Sequence, residues 1–157
     1  MFKPLITRET AMQAVTFVRP LFERAVATKD LGDSGCAHVV VMDPHARSGT
    51  VAFEQAMLYE ESFNRGRWDA DYAMYARAKA RVSWRTGRNS DGLNLSAPQL
   101  LQTGDTLLGG AVCVDGIVVA VSGMYGWYDE ALACSVAAFL RAVVKGRLAT
   151  CDKPFIE

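Results

Sequence analysis

Hydrophobic residues near the start of the chain recur at the spacing of an amphipathic α-helix with one buried face. Thr7 is placed to cap this helix. Pro20 predicts a kink or a break in it, because proline lacks a backbone donor and its ring collides with the preceding turn. A valine-rich run from Cys36 to Met42 then predicts a buried β-strand that ends at Asp43-Pro44. The helical stripe consists of Ala11, Ala14, Val15, Val18, Phe22, Ala25 and Val26.

Polar and charged residues interrupt the hydrophobic pattern after the first strand. Ser48-Gly49 predicts a turn into a second strand, from Thr50 to about Ala56. The stretch from Leu58 to Arg67 is polar and acidic, so it predicts an irregular crossing rather than a regular element.

The next segment begins and ends with residues that are typical of helix termini. Asp69 or Asp71 predicts the start of a second helix, which runs to Thr86 and ends at Gly87. Residues 91 to 105 are rich in turn formers and predict a loop.

The last third of the chain predicts a hairpin followed by a helix. Two apolar runs, Gly109 to Val114 and Ile117 to Ser122, flank Asp115-Gly116, which is a strong hairpin signal. Asp129 is predicted to cap the last helix, whose stretch Ala131 to Val144 is apolar nearly all round. Such a helix is either fully buried or covered on one side by another subunit. Its small second face, predicted to meet a partner subunit or another helix, consists of Ala133, Cys134, Ala137, Ala138 and Arg141.

The element order α-β-β-α-β-β-α predicts an α+β fold in a single domain over residues 1–157, with one antiparallel sheet packed by helices.

The composition is 50% hydrophobic with a net charge of zero, which excludes disorder and a global field that recruits nucleic acid. No apolar run reaches the ~18 residues that span a bilayer. The N-terminus lacks a signal peptide's apolar core, and the scattered cysteines are typical of reduced thiols. We expect a cytoplasmic protein that binds neither nucleic acid nor membranes.

Three arginines form a basic ridge on the second helix. Arg77, Arg81 and Arg85 stand at i, i+4 and i+8, and no acidic residue occurs in this helix. Like charges at this spacing destabilise an isolated helix, so we expect an acidic group to face them. One interpretation is a salt-bridged face that uses Glu60, Glu61 or a partner subunit. The other is a ligand carboxylate or phosphate, which arginine binds bidentately.

A strand end, a tight glycine loop and a helix start follow one another between residues 122 and 130. Backbone N–H groups at such a corner can cradle an anion or a ligand oxygen. A plain turn capped by Asp129 is the alternative, because the cap competes for the same donors. Three aromatic residues within four positions of the loop fit a planar ligand or an oligomer contact. The predicted ligand-binding residues of this corner are Ser122, Gly123, Tyr125, Gly126 and Trp127.

His38 shares a strand face with Cys36, which is the geometry of a metal or heme ligand pair. A single strand histidine is more often a satisfied core or edge residue. The chain has no nucleophile elbow, phosphate-binding loop, zinc-type Cys/His spacing or dinucleotide fingerprint. We therefore predict no catalytic residue, and no hydrolase, kinase or nicotinamide-dependent activity.

Several motifs occur in a fixed order over roughly residues 36 to 144. They are the valine-rich strand ending at Asp43, Ala76 to Ala80 as Ala-Arg-x-Lys-Ala, Gly87-Arg88-Asn89-Ser90, Gly109-Gly110 with Asp115-Gly116, and Ser122-Gly123 leading to Asp129-Glu130. In this order they resemble the GlcG/HbpS family, which includes the C-terminal domain of PduO-type proteins. The resemblance implies a profilin-like antiparallel sheet with flanking helices, and frequent homo-oligomers.

The chain also departs from that family. An acidic loop, Leu58 to Asp69, replaces the family's Arg-Met-Asp-Gly-Ala stretch. Some relatives bind heme through a histidine of the first helix, and this chain has none between Thr7 and Lys29. Heme binding is therefore not carried over to any residue by the resemblance.

Taken together, these features predict a small-ligand-binding protein of the GlcG/HbpS type, with no established catalytic chemistry. Its pocket is predicted between the second helix and the corner at residues 122–129, and its ligand is heme or another planar, acidic molecule. One alternative is an oligomeric interaction scaffold without a ligand. The other is a heme-degrading enzyme.

Overall fold

A four-stranded antiparallel sheet forms the middle layer of the fold in a computed structural model that describes residues 3–156. Its strands are β1 (Ala37–Met42), β2 (Met57–Phe63), β3 (Ala111–Val114) and β4 (Ile117–Ser122), in the order β2-β1-β4-β3. Helices α1 (Arg8–Thr28) and α5 (Gly126–Ala149) cover one face, and α3 (Tyr72–Thr86) covers the other. Short helices α2 (Phe53–Ala56) and α4 (Leu93–Ser96) lie in the connections. The predicted α+β class and element order are confirmed.

The two central strands are buried on both faces because helices cover both sides of the sheet. All six residues of β1 and all six of β4 are buried. Alternate positions point to opposite sides: Val39 and Val121 pack with α1 and α5, whereas Val40 and Ala120 pack with α3. This explains why both strands are predominantly apolar.

Helix α1 begins where the sequence predicts it and continues further than expected. Thr7 accepts a hydrogen bond from the Thr10 backbone N–H at 3.3 Å, and Thr10 Oγ1 accepts one from the Thr7 N–H at 2.9 Å, which forms a capping box. The predicted break at Pro20 is wrong, since the helix runs through it to Thr28. Pro20 and Thr16 lie on the exposed side, where water can satisfy the carbonyl that proline leaves without a donor.

Other local signals are confirmed. Asp71 caps α3 by accepting the Met74 N–H at 2.9 Å. Gly87 ends the helix in the left-handed conformation, with φ 71°. Asp115 and Gly116 turn the β3–β4 hairpin with φ values of 48° and 86°, as a two-residue turn of this kind requires.

The second strand is displaced from its predicted position. Residues 50–56 do not form it, and all of β2 except Met57 falls in the segment that predicted an irregular crossing. Tyr59 and Phe63 point towards α1, while the two glutamates between them have basic partners on helices. Because the arginines neutralise the two glutamates, these acidic residues do not prevent the segment from forming a strand. β2 lies at the edge of the sheet.

Residues 89 and 90 lie along the outer edge of β3. The Ser90 N–H donates to the Ala111 carbonyl at 3.0 Å, and Ser90 Oγ accepts the Ala111 N–H at 3.1 Å. Asn89 Oδ1 accepts the Cys113 N–H at 2.9 Å. The outward backbone groups at this end of β3 are therefore bonded by neighbouring residues.

Helix α5 packs against α1 as well as the sheet. Ala133 and Ala137, two small residues predicted to meet a helix or a partner subunit, are fully buried in the cluster that contains the α1 stripe. For these two, the partner is another helix. Phe139 lies in the stretch of α5 whose sequence is apolar nearly all round, yet it is 43% exposed and stacks on Phe17 with ring centroids 5.5 Å apart. No helix among residues 3–156 is long and apolar enough to cross a membrane.

Candidate functional site

The arginine ridge of α3 has acidic partners within the chain. Arg77 donates from Nε and Nη2 to the two carboxylate oxygens of Glu60, at 2.7 and 3.0 Å. Arg81 Nη2 lies 3.6 Å from Glu54 Oε1. The structure therefore contains a salt-bridged face, which is one of the two interpretations of the ridge.

Arg85 holds the connection between α3 and β3 in place. It donates to both carboxylate oxygens of Asp105, at 2.7 and 2.5 Å, and to the Leu100 carbonyl at 3.0 Å. The guanidinium lowers the pKa of Asp105 through these bonds. These contacts give Arg85 a structural role, because they fix the position of the segment around Leu100 and Asp105.

His38 uses both ring nitrogens inside the protein. Nδ1 lies 2.9 Å from Ser62 Oγ, and Nε2 lies 3.0 Å from Glu60 Oε1. The hydrogen bond from His38, followed by that from Arg77, lowers the pKa of Glu60 to about 2. His38 would have to break one of these bonds to ligate a metal or a heme iron.

Cys36 is fully buried, and its Sγ lies 3.5 Å from the Ser34 carbonyl oxygen and 3.6 Å from that of Arg67. Burial raises the pKa of the Cys36 thiol, which keeps it in the protonated form that ligates metals poorly. No group of three or more His, Cys, Asp or Glu residues within 3–156 could hold a metal ion. Cys36 and His38 are thus both engaged by protein groups, and ligation of a metal or heme iron by either stays a prediction.

A cleft of about 310 Å³ lies between α3 and the corner that joins β4 to α5. Its lining brings together Ser122, Gly123 and Gly126 of the predicted site. From α3 it receives Tyr72, Tyr75 and Lys79. A second cleft, of about 570 Å³, contains Arg77 and Arg81 and shares Tyr75 with the first. Five of the predicted residues are thus divided between two neighbouring clefts, whereas Arg85, Tyr125 and Trp127 line neither of them.

A buried ion pair forms part of the wall of the smaller cleft. Lys79 is 3% exposed and Asp129 is 2% exposed. The Lys79 ammonium donates to Asp129 Oδ2 at 2.8 Å and to the Val121 carbonyl at 3.0 Å. An ammonium has three N–H donors, and these two acceptors are its hydrogen-bond partners within residues 3–156.

Asp129 does not cap α5 as predicted. The helix begins at Gly126 with Tyr125 as its N-cap residue, and Asp129 lies inside the first turn. Its Oδ1 accepts the Met124 backbone N–H at 2.8 Å. Burial raises the pKa of Asp129 to about 6, although Lys79 and the Met124 N–H both act to lower it.

Two glycines allow the backbone to pass close to this pair. Gly110 has φ 128°, and a Cβ there would lie 2.8 Å from Asp129 Cβ and 2.9 Å from Lys79 Nζ. Gly123 has φ 127°, and a Cβ there would overlap the Cys36 carbonyl oxygen. Both positions need the conformational range and the small volume of glycine.

The aromatic residues of the corner lie on its outer side. Tyr125 donates from its hydroxyl to Asp33 Oδ1 at 2.9 Å and stacks on Trp127 with ring centroids 5.2 Å apart. Trp127 is 68% exposed and Tyr128 lies beside it. A ligand-binding role for Tyr125 and Trp127 stays a prediction, because these rings form an exposed surface next to the cleft lining.

Sequence reasoning missed Lys79. Its signal is its position on α3, where it shares the buried face with Ala76, Ala80 and Ser83. Lysine is rarely buried unless it is paired, so a lysine on the apolar face of a helix indicates a buried partner or a site.

No family model and no curated protein matches the chain. Solved structures do match it. The crystal structure of HbpS has 23% sequence identity and a TM-score of 0.52, and the match covers 88% of this chain and 92% of that one. The Klebsiella pneumoniae protein ORFY, of family DUF336, has 16% identity and a TM-score of 0.52, covering 87% of this chain and 91% of that one.

The chain has the GlcG/HbpS-like fold. The Ybr137w protein also matches, with 16% identity, a TM-score of 0.55, and coverage of 85% of this chain and 78% of that one. Because the identities are low, these matches confirm the GlcG/HbpS-like resemblance at the level of the fold. They extend it beyond the motifs at residues 36–144 to most of the chain.

Proposed function

We propose that this chain is a small-ligand-binding protein whose site is the cleft between α3 and the β4–α5 corner. Its ligand is a compact organic acid with a planar part. The observation that carries the proposal is the buried Lys79–Asp129 pair in the wall of a surface cleft. Burying charges costs free energy unless they are paired, and this pair is kept next to an opening rather than in the closed core.

The size and lining of the cleft support a ligand of this kind. A volume of about 310 Å³ lies at the lower end of the range for small-molecule pockets, roughly 300–1,000 Å³. Tyr72 and Tyr75 offer aromatic surface on one side, and Gly123 and Gly126 expose backbone on the other. Burial raises the pKa of Tyr72 to about 12, so its phenol stays neutral. A single-ring molecule suits this combination of surfaces.

Heme, the other planar acid that the sequence suggested, is not favoured. His38 and Cys36 are engaged by protein groups, and the arginines that would bind its carboxylates already bind Glu60, Glu54 and Asp105. We propose no catalytic residue.

We further propose that the chain works in the cytoplasm as a homo-oligomer. The four free cysteines support a reducing compartment. The exposed stacked rings of Phe17 and Phe139 support an interface on the outer surface of α1 and α5. An interaction scaffold without a ligand would use the same surface, so ligand binding has to be tested directly.

Calorimetric titration of a panel of single-ring carboxylic acids, beginning with benzoate, tests the cleft. Leu108 lines it and is exposed, so Leu108→Trp fills the cleft without disturbing the core. Leu107→Trp adds the same ring to the exposed neighbour outside the lining, and serves as the matched control. We expect Leu108→Trp to weaken benzoate binding by about tenfold or more, because the ring competes for the cleft. Equal binding by the two variants, or no binding of any acid, would contradict the proposal and favour the scaffold.

A further inference from the structure

We infer that Lys79 and Asp129 act together as a proton-coupled receptor for the ligand's acidic group. The ligand carboxylate accepts a hydrogen bond from the Lys79 ammonium, and Asp129 takes up one proton from solvent as the ligand binds. This inference rests on the proposed function of the cleft and adds the chemical class of the group that is recognised.

The donor for this interaction is already in place. Two of the three Lys79 N–H donors reach Val121 and Asp129. An acceptor that enters the cleft beside Lys79 would occupy the third donor. In a buried site a hydrogen bond to a charged group is worth more than one in water. A carboxylate oxygen is the acceptor that best matches an ammonium donor.

Charge balance at the site requires Asp129 to take up a proton when the ligand carboxylate binds. Lys79 and Asp129 are neutral as a pair, so a second carboxylate would leave the site with one excess negative charge. Two carboxylates that share a buried site cannot both stay ionised without a large cost, and one pKa rises. A proton on Asp129 restores neutrality, with Lys79 then paired to the ligand. Oδ1 of the protonated group can still accept the Met124 N–H.

The other titratable groups around the site favour the same outcome. Glu130 follows Asp129 on α5, and burial, followed by the nearby charge of Asp91, raises its pKa. Asp91 lies beside Gly109, which lines the cleft. Tyr72 and Tyr75 face the cleft from α3. Glu130 and Asp91 are both acids, so their negative charge opposes an additional ligand carboxylate. It therefore favours proton uptake by Asp129 when the ligand binds.

Titration calorimetry with benzoate tests the coupling on the unmodified chain. Measured at about pH 7 in two buffers of different ionisation enthalpy, the heats give the number of protons taken up. We expect about one proton per benzoate, and an affinity that falls about tenfold per pH unit above the pKa of Asp129. Benzamide, the neutral analogue, should bind without proton uptake.

Asp129→Asn identifies the group that takes up the proton. The amide keeps an acceptor for the Met124 N–H and carries no charge, so benzoate should bind with no proton uptake and an affinity independent of pH between about 6 and 8. Glu130→Gln removes the adjacent acid and is the matched control, which should keep the uptake. This comparison also separates uptake by Asp129 from protonation of benzoate itself.

The outcomes separate the two proposals. Benzoate binding without proton uptake, or uptake that persists in Asp129→Asn, overturns this inference and leaves the cleft as a binding site. No binding of benzoate even at about pH 5.5 overturns both. The proton count on the unmodified chain needs no variant, so it decides the question if Asp129→Asn fails to fold.

Discussion

Arg77 Nε and His38 Nε2 lie 2.7 and 3.0 Å from the same carboxylate oxygen, Oε1 of Glu60. The sequence presents these residues as parts of two different candidate sites, an arginine ridge and a metal or heme ligand pair. In the structure they belong to one network on the α3 face of the sheet. That network satisfies charges inside the protein, and a ligand would have to compete with Glu60 for either residue.

His38 is therefore not expected to ligate the iron of added hemin. A titration followed in the Soret region should give the same spectrum for the unmodified chain and for His38→Ala, because both ring nitrogens are already hydrogen-bonded. Cys36→Ala should likewise leave it unchanged, since burial keeps the thiol protonated. A saturating Soret shift, at one hemin per chain and lost in either variant, would show that our interpretation of this network is wrong.

Gly110→Ala is expected to destabilise the fold by about 3 kcal/mol or more, through left-handed backbone strain and overlap with the Lys79–Asp129 pair. Gly146→Ala is the control, because position 146 lies within α5 and a Cβ there meets nothing within 4 Å. That change should stabilise the fold by about 0.5–1 kcal/mol. Urea denaturation measures both, and a loss of less than about 1 kcal/mol for Gly110→Ala would refute the close approach.

The free energy of unfolding is expected to be greatest at mildly acidic pH. The pKa of Asp129 is raised from 3.8 to about 6, so the folded chain binds this proton more tightly and stability rises as pH falls through 6. Glu60 has the opposite sign: its pKa is lowered from 4.5 to about 2, so its contribution is present above 4.5 and is lost as pH falls towards 2. Urea denaturation at about pH 7.5, 5 and 3 should show the maximum at the middle value.

Asp129→Asn should remove most of the rise in stability between about pH 7.5 and 5, because the amide has no proton to bind. Glu130, whose pKa is also raised by burial, should keep the remainder. Glu60→Gln should keep that rise and reduce the loss below pH 4.5. If Asp129→Asn keeps the full rise, another group is responsible for it.

Assembly through the outer surface of α1 and α5 is tested by charge substitution. Phe17→Glu and Phe139→Glu should lower the molar mass measured by light scattering at micromolar concentration, because both rings are exposed and stacked on each other. Leu95→Glu changes a more exposed apolar residue in α4 and should leave the mass unchanged. A monomeric unmodified chain, or an oligomer that persists in both phenylalanine variants, would exclude this interface.

The parts of the fold that the sequence predicts correctly are those decided by neighbouring residues. Thr7 and Asp71 cap helices by accepting N–H groups three positions ahead, and Asp115-Gly116 turns a hairpin through its own backbone preference. In each case the partner lies within a few residues, so the sequence pattern contains the whole interaction.

The errors concern residues whose partners are distant in the chain. Glu61 of β2 pairs with Arg19, 42 positions earlier, and that partner lets an acidic segment form a strand. Asp129 pairs with Lys79, 50 positions earlier, and this pair buries the carboxylate in the wall of the cleft instead of leaving it as a cap. The residues of each pair meet only in the folded chain. The second pair, Lys79 and Asp129, forms the candidate site. The site was thus the part of the molecule that local sequence reasoning was least able to predict.

The bonds that Asn89 and Ser90 make to β3 have a consequence for association between molecules. An open strand edge is a template on which another chain can add a strand, and this is a common route to aggregation. At Ala111 and Cys113 the outward N–H groups are already bonded to residues 89 and 90. A strand from a second molecule would have to displace these bonds before it could extend the sheet. The residues after α3 therefore make this end of β3 a poor template for strand addition by another chain.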